Sequence, residues 1–203
     1  MTGRRVVLAT RNAHKVVELR RILTAAGLSV ELIGLDEYPD LPEVAETGAT
    51  FEANALLKAH AVASATGLTA VADDSGLEVA ALNGMPGVLS ARWSGGLGDD
   101  ANLRLVLAQI ADVPDDRLGA SFECAAAAVF PDGREVVVRG RLTGTIARTP
   151  RGTNGFGYDP IFVPTGDSRT TAELEPDEKD AISHRGVAFR TLADQLRDIW
   201  SAG

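Results

Sequence analysis

An α/β fold with a mixed, twisted central sheet flanked by helices follows from three patterns in the chain. The short apolar run Arg5-Val6-Val7-Leu8-Ala9 leads through a polar link into a helical pattern carrying Val16, Leu19, Leu23 and Ala26, which makes a strand-loop-helix unit. A second helical pattern over 50–66 precedes another apolar run, Leu68-Thr69-Ala70-Val71-Ala72. Two strand patterns, Ser121 to Phe130 and Glu135 to Leu142, are joined by the turn residues Pro131-Asp132-Gly133, so a hairpin is expected beside the strand-helix units. With 203 residues and 45% apolar content, the chain can bury roughly 70% of its unfolded surface as one domain over 1–203. The expected arrangement has two lobes, with the active site in the cleft between them.

The helix behind the first strand opens near Lys15, after Thr10-Arg11-Asn12-Ala13-His14. Backbone N–H groups and the positive dipole end at such a helix start suit a phosphate, with Thr10 and Asn12 as side-chain donors. A plain N-cap by Asn12 beside a solvated lysine explains the same residues. Neither the P-loop nor the dinucleotide glycine pattern is present. The second helix has Thr50 as N-cap and an apolar stripe of Phe51, Ala55, Ala59 and Val62, with Asn54 and Lys58 sharing its polar face. A Pro-rich loop from Asp36 ends just upstream at Glu46-Thr47-Gly48, close enough in sequence to bring Glu46 to the following strand.

That strand, 68–72, ends in Asp73-Asp74-Ser75-Gly76. The carboxylates are expected at its C-terminal tip, where open α/β sheets place ligands. Because neighbouring strand residues face opposite ways, one can hold a metal or activate water while the other braces the loop. A simple turn accounts for the same four residues. A further strand follows over Gly76 to Leu82, then a helix from about Asp100 to Ile110, a polar connector Asp112 to Arg117, and the hairpin. Gly152 to Pro160 places three glycines around Phe156 and Tyr158, which permits a tight turn or close approach of backbone to a ligand. An aromatic there can stack on a flat base, and Asp159 can accept hydrogen bonds from a sugar or base. The C-terminal helical stretch from Glu175 is interrupted at Ser183-His184-Arg185-Gly186 and continues with Leu192, Leu196 and Ile199. His184 and Arg185 are donors suited to base-edge acceptors; a charge cluster at a helix boundary explains the same residues.

Charge and composition narrow the function. A net charge of −8 argues against nonspecific nucleic-acid binding, which needs a basic face. No apolar stretch is long enough to span a bilayer, and Met1-Thr2-Gly3-Arg4-Arg5 leads into a strand pattern, not a signal-peptide core. The lone Cys124 cannot form an intrachain disulfide and fits a reducing, cytoplasmic setting. Of the 20 basic residues only Lys15, Lys58 and Lys179 are lysines. A lysine kept in an arginine-rich chain marks a position suited to a compact point charge, as phosphate sites are. Glu46 and Asp74, two hard carboxylates, would suit Mg²⁺ with substrate phosphate oxygens completing its shell; a plain loop charge at Glu46 accounts for the same sequence more cheaply.

Taken together, five ordered blocks, Leu8 to Lys15, Glu46 to Lys58, Ala72 to Leu77, Gly152 to Pro160 and Lys179 to Gly186, resemble the inosine triphosphate pyrophosphatase family over essentially the whole chain. The resemblance implies a house-cleaning enzyme that hydrolyses ITP, dITP and XTP to the monophosphate and pyrophosphate, with Mg²⁺ as cofactor and a homodimer as assembly. It further implies that Asp74 is the catalytic acid-base and an Mg²⁺ ligand, that Glu46 is the second ligand, and that Asp73 supports them. Thr10, Arg11, Asn12, Ala13, His14, Lys15 and Lys179 correspond to the triphosphate cradle, assisted by Lys58, and Ser75 to a substrate contact. Phe156, Gly157, Tyr158, Asp159, His184 and Arg185 correspond to base and sugar contacts, with Phe156 stacking on the purine. Arg11 departs from the family, which more often has glycine there. The contrasting expectation from another class is a regulator that binds a purine triphosphate without cleaving it; the water-activating carboxylates argue against it.

Overall fold

The structure is a computed structural model that describes residues 4–201; Met1, Thr2 and Gly3 of the N-terminal lead lie outside the described residues. Its elements are β1 (Arg4–Leu8), α1 (Ala13–Ala25), β2 (Val30–Ile33), α2 (Phe51–Thr66), β3 (Thr69–Val79), α3 (Asp99–Gln109), β4 (Gly119–Val129), β5 (Glu135–Ile146), β6 (Phe162–Pro164), α4 (Pro176–Ile182) and α5 (His184–Ser201). The strands form a six-stranded sheet in the order β2-β1-β3-β4-β5-β6. β1 runs parallel to β2 and β3, while β5 and β6 are antiparallel, so the sheet is mixed as expected. The chain divides into two compact units. The described residues up to Asp74, Cys124–Gly140 and those from Arg185 onward make the first; Ser75–Glu123 and Arg141–His184 make the second.

In the first unit, Val6, Val7 and Leu8 are wholly buried, as a strand paired on both edges in a parallel arrangement requires. Val6, Leu8, Val71, Ala126 and Ala128 form a core with Leu19, Ile22 and Leu23 of α1 and with Ala188, Phe189, Leu192 and Leu196 of α5. Cys124 lies in this core as a free thiol, and burial pushes its pKa up, so it behaves as a small hydrophobe. Thr50 Oγ1 caps α2 by accepting from Ala53 N at 3.2 Å, and Asn12 Oδ1 caps α1 by accepting from Lys15 N at 3.2 Å. The hairpin between β4 and β5 closes where Phe130 N donates to Arg134 O and Gly133 N to Phe130 O, both at 2.9 Å. Phe189 is fully buried among small and branched neighbours, so Phe189→Ala is expected to cost about 3–5 kcal/mol through lost burial and a residual cavity. Urea unfolding of the variant reads this directly.

In the second unit, Leu77, Val79, Leu103, Val106, Ile110, Phe122, Ile146, Ile161 and Phe162 form the core. The C-terminal helical stretch is two helices, because Ser183 is extended with ψ 150° and ends α4.

One expectation is corrected. The sequence reads as two strands, 68–72 and 76–82, separated by a turn at Asp73-Asp74-Ser75-Gly76, but β3 runs unbroken through all four residues and ends at Val79, where a one-turn 3₁₀ helix, Ala80–Leu82, follows. The carboxylates therefore lie in mid-strand and not at its tip. Turn propensity is overridden by long-range partners: Asp73 and Asp74 each meet cationic or amide side chains from the packed helices. Gly76 is needed because a Cβ there would fall 2.4 Å from Gly87 O and from Ser90 Oγ.

Candidate functional site

Strand alternation separates the two adjacent carboxylates of the first unit. Asp73 shares a face with Val71 and points towards α1 and α5. Its Oδ2 accepts from Lys15 Nζ at 2.9 Å and from Arg185 Nε and Nη2, each at 3.3 Å. Arg185 Nη1 in turn donates to Glu18 Oε2 at 2.6 Å. Glu18, Asp73 and Arg185 are all buried, and alternating charge is what permits this. Burial alone would raise the Asp73 carboxyl, but Lys15, Arg185 and Lys58 outweigh it and hold Asp73 far below the usual carboxylate range.

Asp74 faces α2. Asn54, which is fully buried, donates through Nδ2 to Asp74 Oδ2 at 2.9 Å and accepts at Oδ1 from Gly48 N at 2.7 Å. That one amide ties the loop carrying Glu46 to the strand carrying Asp74. Lys58 Nζ, one helical turn further on, donates to Glu46 Oε1 and lies 3.7 Å from Asp74 Oδ1. Both carboxylates thus share one ammonium. Burial raises the Asp74 pKa and the charge of Glu46 adds to it, against the lowering effects of Lys58, Asn54 and Lys15. Burial lowers the Lys58 pKa, but Asp73, Asp74 and Glu46 more than reverse it, so the net shift is upward. Two neighbouring carboxylates with opposite shifts divide the labour: Asp73 is a fixed anion, and Asp74 is the more basic group, suited to taking a proton from water.

At the start of α1, Thr10 Oγ1 accepts from Asn12 N at 3.2 Å, so the hydroxyl and amide expected as phosphate donors also shape the turn that starts the helix. Arg11 donates through Nη2 to Leu41 O at 2.6 Å and Tyr38 O at 3.4 Å. Its bulk is directed to the Pro-rich loop. Ala13 and His14 are exposed in the first turn of α1.

The second unit holds the other cluster. Asp159 is buried and its Oδ2 accepts from Phe156 N at 2.8 Å and from Lys179 Nζ at 2.6 Å. Lys179 Nζ sits 5.2 Å from the centroid of Phe156, within cation-π range. Tyr158 is anchored by its hydroxyl, which donates to Ser90 O at 2.8 Å, and Gly157 N donates to Asp99 Oδ2 at 2.9 Å. His184 stacks on Phe122 with ring centroids 4.8 Å apart and planes 15° from parallel. Ser75 is half-buried on β3.

Within the first unit, the fold thus brings Lys15 with Asp73 and Arg185, and Glu46 with Lys58 and Asp74; within the second, it brings Phe156 with Asp159 and Lys179. Sequence reasoning passed over Glu18, Asp99 and Thr171. Glu18 had a signal, an acidic residue next to Leu19 and four before Ile22 on a face that is otherwise apolar; the other two act through partners 58 and 12 residues away, which no local pattern reveals.

Known proteins resemble this chain in sequence and fold. The family model described as the Ham1 family matches residues 6–195. A curated protein of Streptomyces avermitilis named dITP/XTP pyrophosphatase is 61% identical over 196 residues, 96% of this chain and 98% of that protein. The crystal structure of a nucleoside-triphosphatase, dITP/XTP pyrophosphatase, from Mycobacterium abscessus is 58% identical with a TM-score of 0.75, over 93% of this chain and 98% of that one. A HAM1 protein from Coxiella burnetii is 42% identical with a TM-score of 0.87, over 96% and 99% of the two chains.

Proposed function

Because the chain belongs to the Ham1 family, we propose that it is a nucleoside-triphosphate pyrophosphatase that clears ITP, dITP and XTP by hydrolysis to the monophosphate and pyrophosphate. The observation that carries this reading is the environment of Asp74, a buried carboxylate raised in pKa and set between Asn54 and the shared ammonium of Lys58. A protein that only binds a triphosphate has no need of a carboxylate made more basic beside the Lys58 ammonium. Asp74 accepts the proton of a water that attacks the α-phosphate, and pyrophosphate leaves.

Backbone amides and cationic side chains serve the phosphates. The N-terminal amides of α1 with Thr10, Arg11, Asn12, Ala13, His14 and Lys15 cradle them, and Lys58 and Lys179 add point charges that neutralise the leaving group. Ser75 contacts the substrate. The donor set fits Mg²⁺: Glu46 and Asp74 are hard oxygen ligands that already meet at one cation, and Mg²⁺ takes few protein ligands together with phosphate oxygens. Glu46 and Asp74 would hold it, and when bound it supplies charge neutralisation on the phosphates.

Phe156 stacks on the purine, while Gly157, Tyr158, Asp159, His184 and Arg185 frame base and sugar. Donors aimed at a 6-oxo group would face the amino group of adenine, a mismatch worth about 1–3 kcal/mol. Guanine keeps the 6-oxo group, so its exclusion falls to contacts with the 2-amino group. The chain works as one catalytic domain and as a homodimer in the cytoplasm, as the family resemblance implies, without nucleic-acid or membrane partners; its acidic charge argues against nonspecific nucleic-acid binding, and among the described residues no helix is long and apolar enough to cross a membrane.

Chromatography of products formed from ITP, XTP, GTP and ATP with Mg²⁺ tests the proposal. IMP plus pyrophosphate from ITP, with GTP and ATP largely intact, is expected. Diphosphate plus orthophosphate would overturn the α-phosphate assignment, and tight binding of ITP with no product would favour the regulator.

A further inference from the structure

The Gly-rich loop and the one-turn helix Thr171–Glu173 are moulded to each other. Thr153 N and Asn154 N both donate to Ala172 O, at 3.1 and 3.0 Å. A Cβ on Gly152 would lie 2.3 Å from the carbonyl of Ala172, and one on Gly155 only 2.1 Å from Asp159 Oδ2. Both glycines have positive φ, 81° and 76°, so neither the space nor the backbone admits a side chain.

At the centre of this arrangement is the Asp159 carboxylate, whose Oδ2 is held by Phe156 N and Lys179 Nζ. Its other oxygen, Oδ1, accepts from Thr171 Oγ1 at 2.8 Å, and Thr171 is 1% exposed. A carboxylate turns easily about its last torsion. Bonds to one oxygen alone leave that rotation open, and the Thr171 hydroxyl, bonded to the second, closes it. The orientation of Asp159 then fixes Lys179 Nζ against the Phe156 ring. At the exposed end of the same turn, Asp99 Oδ2 receives Gly157 N at 2.9 Å and so fixes the peptide that follows Phe156.

We propose that Thr171 and Asp99 are positioning residues for nucleotide binding: the first locks the Asp159 carboxylate and through it Lys179, the second locks the peptide plane that sets the Phe156 ring. Neither touches substrate. The inference rests on the reading that the Phe156–Asp159 turn receives the purine, and it concerns binding, not the attack on phosphorus.

Thr171→Val keeps the shape and removes the donor; Thr171→Ser keeps the donor. For Thr171→Val we expect KM for ITP to rise about tenfold, the scale of one hydrogen bond to a charged group, with kcat within about twofold of wild type and a thermal midpoint lowered by only a few degrees, since Asp159 loses one buried partner. Thr171→Ser should restore KM. Asp99→Ala should raise KM likewise, and Asp99→Asn, which keeps an acceptor oxygen, should not. If wild type neither binds nor hydrolyses ITP, the proposed function fails and this inference with it. If wild type is active but Thr171→Val has an unchanged KM, or loses kcat alone, or is not rescued by serine, the positioning role is overturned and the proposed function stands.

Discussion

Asp74→Asn protein should lose hydrolysis of ITP by about 10²- to 10⁴-fold, the contribution of a positioned general base, while still binding Mg-ITP. The substitution is nearly isosteric. Asn54 still has an acceptor at position 74, since the carbonyl oxygen of the new amide can take the bond now made at 2.9 Å to Oδ2. What disappears is the basic site that burial and Glu46 have raised above an ordinary aspartate. Turnover should fall with KM changed by much less, because the lost basicity acts only on the way to the transition state, while the amide oxygen at position 74 can still face Mg²⁺ beside Glu46. Isothermal titration and product chromatography on the same preparation separate the two effects. Retained turnover would remove Asp74 from the chemistry.

Arg185→Ala is expected to destabilise the fold as strongly as a large core truncation. Its guanidinium joins Glu18 on α1 to Asp73 on β3, and both carboxylates are buried. Removing one partner of a buried ion network leaves charge uncompensated, at a cost of about 3–5 kcal/mol. Arg185→Lys should recover only part, because a single ammonium cannot reach both carboxylates with the fork that Nη1, Nε and Nη2 provide. The pH dependence has a definite sign. Asp73 is held well below its ordinary value in the folded protein, so its stabilisation is present above the unfolded value of about 4 and is lost as pH falls through the lowered folded value. The difference between wild type and Arg185→Ala, measured by urea unfolding, should therefore narrow as pH drops below about 4. A constant difference down to strong acid would show that Asp73 is not the group being served.

Much of the fold was readable from local pattern, and the exceptions have a common cause. Helix α2 announces itself through Thr50 and the spacing of Phe51, Ala55, Ala59 and Val62, and its cap forms as read. The hairpin at Pro131-Asp132-Gly133 is likewise local. Lys15, Lys58 and Lys179 stood out because the chain otherwise uses arginine, and each meets an acidic group, Asp73, Glu46 and Asp159 respectively. The continuity of β3 was not readable, because Asp73 to Gly76 have turn chemistry and only the distant partners of the two carboxylates stabilise them as strand. Arg185 shows the same limit. Its guanidinium donates to Glu18, 167 residues away in sequence, a pairing that no local pattern reveals.

The most direct test of the central assignment, water directed by Asp74 at the α-phosphate, is hydrolysis of ITP in water labelled with heavy oxygen, followed by mass spectrometry of both products. Attack at the α-phosphate puts the label in IMP and leaves pyrophosphate unlabelled. Label in pyrophosphate, with unlabelled IMP, would mean attack at the β-phosphate and would contradict the role of Asp74 and of the cations around it.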